Sequence, residues 1–323
     1  MRILQVCNVG RIVGGTAACA WSLMRAFPAA EHHVAFLSTI TDETRTVFSS
    51  AAVHQCDAVT DSFVRDVNAD CVILHNTAPR RCERITSAWT LQYVHSRGAR
   101  AVADHTVYCS KWLARECGAD GANVLVQCVP RPIALQRSPR DAALVVGRLC
   151  TPTAAKWPAD LIGFYRVLTA RHPAVNWEFV GCPERLRPAL QEACGGRALF
   201  HPAGWEARSF LTRWDALLYH HPTLTESFGR TVAEAMRAGC IPIVDRRGGF
   251  CEQVTGPAGF LCGSVSEFSD ALRQISLRDT RKRISREAAL HSNANFSMAA
   301  FRRRLLTLWR SSGAGRKTDL LRQ

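Results

Sequence analysis

Glu226 and Glu234 stand eight positions apart in "LTESFGRTVAEAMRAGCIPIVDRRGGFCEQV", residues 224–254, on either side of a glycine and a threonine. The run "FGRTVAEAMRAG" reads as a helix that starts near Phe228–Gly229 and stops at Gly239, glycine being the usual residue just past a helix end. The backbone N–H groups of Gly229, Arg230 and Thr231 have no partner inside such a helix and lie at the positive end of its dipole. They therefore make an anion site. At about 1.5 Å per residue the two carboxylates are up to roughly 12 Å apart. Charged carboxylates accept strongly from hydroxyl groups, so a pair flanking this helix start can grip hydroxyls at both ends of a nucleotide sugar. On spacing alone an acidic surface helix beside a buried strand is the simpler reading, and both stand at this point.

Three further places carry candidate chemistry. "VVGRLCTPTAAKWP" puts Arg148 just after a strand and Lys156 before the next helix. An arginine fork and a lysine point charge together suit a diphosphate, though two solvated cations are the plainer alternative. Gly14 and Gly15 in "NVGRIVGGTAACAW" lie between a first strand and a helix, where glycines let a backbone approach a phosphate or sugar. Their spacing is not the G-x-G-x-x-G of dinucleotide binders. His95 closes the strand "WTLQYVH" and His75 closes "CVILH"; a strand-end histidine is more often a hydrogen-bonded structural residue. Glu252, after Gly248-Gly249, is balanced between capping the next segment and touching a ligand.

Strand-like runs alternate with amphipathic stretches, as in βα units on a parallel sheet. In the first half the strands are "RILQVCNV", "HHVAFLS", "DCVILHN", "WTLQYVH", "HTVYCS" and "NVLVQCV". Helices fall at about 16–27, 61–68, 79–86, 97–103 and 110–117. "PRPIALQRSPRDA", with Pro130, Pro132 and Pro139, reads as an interdomain linker. The pattern then restarts with "ALVVGRL", "PADLIGFYRVLTARH", "NWEFVG", "PERLRPALQEAC", "ALFHPAG", "SFLTRW" and "ALLYHH". This predicts two doubly wound Rossmann-like domains facing a cleft, with ligands beyond the carboxyl ends of the strands.

Composition narrows the class. The chain has 323 residues and is 47% apolar, enough for a sizeable core and for two domains. No run of 18 apolar residues offers a membrane span, and "MRILQVCNVG" is too short and interrupted for a signal peptide; a cytoplasmic protein is expected. The fourteen cysteines contain no Cys-x-x-Cys pair, so free core thiols in a reducing compartment are expected rather than a disulfide scaffold or a metal site. Net charge is +14, and residues 271–323 hold thirteen Lys and Arg against three acids. That leaves a solvated helix face, the simpler reading, and a docking surface for anionic lipid. No nucleic-acid motif accompanies the charge.

Taken together, these pieces resemble the retaining GT-B glycosyltransferases of the family 4 type (glycosyl transferases group 1). "ESFGRTVAEAMRAGCIPIV" followed by "GGFCEQVTGPAGFL" is similar to that family's E-x7-E region. The Gly-Gly loop, "LQYVHSRG", "VYCSKWL", "VGRL…K" and "FSMAAFRRRLLTLW" follow in the family's order, so the likeness covers nearly the whole chain. It implies an acceptor domain over 1–135, with a closing helix at about 296–312 crossing back onto it. A nucleotide-sugar donor domain would cover 141–295 and a basic tail 313–323. It further implies that Arg148 and Lys156 neutralise the donor diphosphate. Glu226 would meet the transferred sugar and Glu234 the ribose. Phe228, Gly229, Arg230, Thr231 and Gly181 would hold sugar and phosphate, Gly14 and Gly15 would approach the diphosphate or acceptor, and His95 would lie near the sugar. The Arg148–Lys156 gap, lengthened by "CTPTAA", departs from the family's short spacing.

The resemblance implies retaining transfer to a sugar, lipid or small-molecule acceptor. Positive charge would build on the anomeric carbon and negative charge on the departing diphosphate. The cations and the helix start would stabilise the latter, and with no Asp-x-Asp sequence present, no metal is required. The weighed alternatives are a sugar-nucleotide epimerase on the same fold, and a basic binding protein with a relict donor site.

Overall fold

The computed structural model describes residues 1–119, 124–135 and 143–312. The expected basic tail 313–323 lies outside them, as does part of the proline-rich linker. Two compact units emerge: Met1–Val129 together with the segment from Asn295, and Pro130–Ala294.

The first unit runs β1 (Arg2–Cys7), α1 (Gly15–Ala26), β2 (Glu31–Phe36), α2 (Asp42–Val47), β3 (Ala52–Gln55), α3 (Asp61–Val67), β4 (Cys71–His75), β5 (Trp89–Val94), β6 (His105–Tyr108) and α4 (Lys111–Glu116). The second runs β7 (Val145–Leu149), α5 (Asp160–Arg171), β8 (Asn176–Val180), α6 (Arg187–Ala193), β9 (Ala198–His201), β10 (Ala216–Tyr219), α7 (Arg230–Arg237), β11 (Ile241–Asp245), α8 (Phe250–Gln253), β12 (Phe260–Cys262), α9 (Val265–Ser276) and α10 (Arg278–Phe296). Then α11 (Met298–Ser311) packs on the first unit, setting Trp309 against Trp89 with ring centroids 4.8 Å apart.

Each unit holds one parallel six-stranded sheet, ordered β3-β2-β1-β4-β5-β6 and β12-β11-β10-β7-β8-β9. Strands such as "CVILH" and "ALLY" are buried along their whole length, as expected of a sheet covered on both faces. The covering helices pack on one stripe. Leu161, Phe164, Tyr165 and Leu168 of α5 are buried at i, i+3, i+4 and i+7; the Tyr165 ring stands edge-on to Trp177 and Phe179 at 5.1 and 4.9 Å. Chain order reverses between β1 and β4 in one sheet and between β10 and β7 in the other. Such switch points open a crevice at the carboxyl ends of the strands.

Helix starts fall into two kinds. Thr41, Thr60, Ser110, Ser264 and Ser297 cap α2, α3, α4, α9 and α11 through their side chains. The helices next to the two switch points, α1 and α7, begin instead on Gly14 and Gly229 with no side-chain cap.

Some elements differ from the sequence expectation. "NVLVQCV" makes one bridge, Val124 to Tyr108, and no strand, because Gln127 is buried and turns its amide toward His95. The stretch 79–86 holds only a 3-10 turn at Pro79–Arg81 and 97–103 no helix, and "SFLTRW" lies largely in a 3-10 turn, Glu206–Thr212.

Candidate active site

The second unit's switch point collects the residues singled out from sequence. Arg148, near the end of β7, is fully buried. Its Nη1 donates to the His220 carbonyl and its Nη2 to the Lys156 carbonyl, each at 2.8 Å. The guanidinium lies between the rings of Trp157 and Tyr219, 5.0 and 4.8 Å from their centroids. A central-strand side chain points into the layer between sheet and loops, and Arg148 uses its fork to tie the Lys156 turn to the end of β10.

Lys156, freed from that task, directs its ammonium onto Glu226 Oε1. Both side chains are partly exposed, at 25% and 21%. The Tyr219 hydroxyl donates to the same oxygen at 2.7 Å. Burial, together with the negative charge of Glu226, raises the Tyr219 pKa, so the phenol stays protonated and keeps donating.

His221 completes the support. Its Nε2 lies 2.8 Å from the Ala155 carbonyl, while its Nδ1 accepts from the N–H groups of Thr223 and Leu224 at 3.2 and 2.7 Å. Only the neutral tautomer protonated on Nε2 satisfies all three, and burial lowers the pKa in the same direction. Asp245, closing β11, accepts from His220 Nδ1, the His221 N–H and Arg247 at 2.7, 2.8 and 2.9 Å.

The loop carrying Glu226 is clamped from behind. The Gly249 N–H donates to the Glu226 carbonyl at 2.9 Å, and Gln253 Nε2 donates to the Phe228 carbonyl at 2.7 Å. A Cβ on Gly248 would fall 2.6 Å from the Glu226 carbonyl oxygen, and one on Gly249 would fall 2.4 Å from that of Ser227. Both glycines are required by this close approach. Gly229 sits in the left-handed region at φ 89°, and a Cβ there would meet the Phe250 ring at 2.3 Å. Arg230 and Thr231 then form the first turn of α7. Gly181, after β8, packs on the Cys150 carbonyl, where a Cβ would come within 2.1 Å. Glu252 lies on α8.

Glu234 faces the other way. It is 1% exposed, and its Oε1 accepts from Arg208 Nε at 3.1 Å and Arg230 Nη2 at 3.4 Å. Arg208 also stacks 4.0 Å from the Trp205 ring. The two glutamates thus lie in different surroundings, one beside a lysine and partly open, the other buried between two arginines. Tyr219, His221, Arg208 and Trp205 were not singled out from sequence; nothing in their local context marks them.

In the first unit, Gly14 and Gly15 open α1, with no atom within 4 Å of where a Cβ on Gly15 would stand. His95 and His75 belong to one hydrogen-bonded row. Gln5 Nε2 donates to the Ala20 carbonyl at 3.0 Å, which turns its Oε1 toward His75 Nε2 at 3.0 Å. His75 must therefore carry its proton on Nε2. As a neutral ring it accepts at Nδ1 from His95 Nε2, 3.0 Å away. His95 Nδ1 in turn faces Gln127 Nε2 at 2.8 Å. Both ring nitrogens of His95 are engaged inside the unit. Cys19 brings its sulfur within 4.8 Å of the two imidazoles, a set of donor types that soft or borderline metals favour.

Two Rossmann-like units with parallel six-stranded sheets are the GT-B glycosyltransferase architecture. Residues 137–291 match the family described as glycosyl transferases group 1, so the chain carries a glycosyl transferases group 1 domain over its second unit. The fold is that of a glycosyltransferase from Rickettsia africae ESF-5, with TM-score 0.74 and 13% identity over 96% of this chain and 98% of that one. It is also that of Anabaena Alr3699/HepE in complex with UDP, with TM-score 0.73 and 16% identity over 96% and 100%. The same Anabaena protein in complex with UDP-glucose gives TM-score 0.71 and 17% identity over 96% and 100%. No curated protein matches at the level of sequence. No helix among the described residues is long and apolar enough to cross a membrane.

Proposed function

We propose that the protein is a retaining, family 4-type hexosyltransferase that moves a sugar from a nucleotide-diphosphate sugar to a sugar, lipid or small-molecule acceptor. The observation that carries this reading is the Lys156–Glu226–Tyr219 cluster beside the uncapped, glycine-initiated start of α7. As the bond to the leaving group breaks, negative charge grows on the diphosphate. The N–H groups at the start of α7 stabilise that charge from fixed positions, and Lys156 adds its ammonium on turning from Glu226. The protein itself thus supplies the positive charge that a metal would otherwise bring. Arg148 acts on the reaction through Lys156, as a positioning residue.

Glu226 accepts from hydroxyls of the transferred sugar once Lys156 turns to the phosphates. Glu234, balanced by Arg208 and Arg230, receives the ribose. The Anabaena structures hold UDP and UDP-glucose, which makes uridine diphosphate sugars the first donors to try. The test is incubation with a panel of nucleotide sugars and acceptors, reading nucleoside diphosphate release and the anomeric configuration of the product. A product of inverted configuration, or isomerisation of the donor sugar without acceptor, would replace this reading.

Peripheral attachment to anionic membrane is also proposed. Arg278, Lys282, Arg283 and Arg286 of α10 are exposed, and none enters an ion pair among the described residues. Leu277 and Leu290, beside them, are 63% and 55% exposed. A basic face edged by apolar side chains suits a lipid surface.

A further inference from the structure

Two donors converge on Glu226 Oε1, the Lys156 ammonium and the Tyr219 hydroxyl. Among the described residues no donor reaches Oε2, and the carboxylate side chain is partly open, at 21%. Glu226 itself lies between β10 and α7 on a segment with neither helix nor strand. Its backbone is tied by the Gly249 N–H, but its side chain is oriented only by these two donors.

The two donors are held very differently. Lys156 ends a short 3-10 turn, Ala154–Lys156, and its ammonium makes no other contact among the described residues. It stands on a flexible four-carbon stem, so an incoming diphosphate can draw it away. Tyr219 is the last residue of β10, a strand paired on both sides with β11 and β7, and is 4% exposed. Its ring stands edge-on to Phe250 at 5.1 Å, and the Arg148 guanidinium lies over it at 4.8 Å. Tyr219 therefore stays in place when Lys156 moves. Burial keeps its phenol protonated, so it donates without neutralising the carboxylate, whose charge remains available to a sugar hydroxyl.

Without that hydroxyl, a Glu226 released by Lys156 would have both oxygens unheld on an irregular segment and would sample several rotamers. With it, Oε1 is fixed and Oε2 points one way. We propose that Tyr219 is the positioning residue of the sugar site, holding Glu226 Oε1 after Lys156 has turned to the diphosphate and so aiming Oε2 at a hydroxyl of the transferred sugar. The role rests on the reading of this site as a nucleotide-sugar site, and it makes Lys156 the movable partner of Glu226 and Tyr219 the permanent one.

The test uses the full chain with UDP, GDP and ADP as probes. Crystals of the wild type with the diphosphate that binds should show Lys156 Nζ on the phosphates and the Tyr219 hydroxyl still within hydrogen-bond reach of Glu226 Oε1. Tyr219→Phe keeps the ring against Arg148 and Phe250 and deletes only the hydroxyl. It should bind that diphosphate within about twofold of the wild type. The kcat for diphosphate release from the matching glucose nucleotide should fall about tenfold or more, as the loss of one hydrogen bond to a charged acceptor requires. Lys156→Met should instead weaken diphosphate binding about tenfold or more. A complex in which Glu226 has left Tyr219 overturns the proposal. So does an unchanged kcat in Tyr219→Phe, or diphosphate affinity that falls there as far as kcat does, the mark of a merely structural role. A wild type that binds none of the three diphosphates contradicts the donor-site reading itself, and the proposal falls with it.

Discussion

Lys156 and Glu226, seventy residues apart in sequence, share one carboxylate oxygen with the Tyr219 hydroxyl at the switch point of the second sheet. The pair is held from behind by two side chains: Arg148 grips the Lys156 carbonyl and His221 the neighbouring Ala155 carbonyl. Positioning of this kind is what the proposed transfer demands of its reacting groups.

Arg148→Ala should destabilise the fold and abolish transfer together. Two hydrogen bonds from a charged donor are lost, each worth about 1.5–3 kcal/mol, so the expected cost is roughly 3–6 kcal/mol. Arg148→Lys should rescue little, since an ammonium cannot span two carbonyls and stack between two rings. Chemical denaturation reads the first effect and product formation the second. A stable variant that has merely lost donor affinity would return Arg148 to direct diphosphate contact.

Gly229→Ala tests the helix start. At φ 89° an alanine costs about 1–2 kcal/mol, and the clash with Phe250 adds to it. Donor affinity should fall at least tenfold by calorimetry, because the first-turn N–H groups move. Unchanged affinity would remove α7 from the phosphate site.

Stability should decline in mild acid. Burial lowers the pKa values of His32, His54, His172, His221 and His291 from the ordinary 6.5. The unfolded chain then binds more protons than the native one. The stability these neutral rings contribute is full above pH 6.5 and is lost as pH falls through their lower native values. Melting temperatures measured at pH 7.5 and 5.5 should show the drop. His221→Gln should make the drop shallower, and an equal or greater melting temperature at pH 5.5 would contradict the linkage.

If α10 docks on anionic lipid, vesicles rich in phosphatidylserine should retain the protein at low ionic strength and release it steeply as salt shortens the screening length to about 8 Å near 0.15 M. Lys282→Glu with Arg286→Glu should abolish retention. Absence of binding at low salt would leave α10 a solvated face.

Much of the architecture was legible because buried parallel strands are continuous apolar runs, and the glycines at 14, 229, 239 and 248–249 punctuate them. The short β3 and α2 escaped: "AVHQ" is half exposed and α2 buries only Thr44, so neither leaves a periodic trace. "NVLVQCV" misled because its apolar residues are buried without pairing as a strand. At the site, Glu226, Lys156 and the α7 start are visible as residue types near a helix boundary. Tyr219, His221 and Arg208 are not, since their roles come from contacts across the sheet. Arg148 reads as a cation for a diphosphate or for solvent, and its burial between Trp157 and Tyr219 is not legible, for sequence does not tell which side of a loop a strand-end residue faces.

The most direct measurement of the central claim compares wild type and Glu226→Ala for nucleoside diphosphate release from a nucleotide sugar and for nucleoside diphosphate binding. The expected result is release lowered by at least a hundredfold, with binding still stabilising the variant by about 2.7 kcal/mol at a hundredfold excess over Kd. Undiminished release in Glu226→Ala would contradict the account.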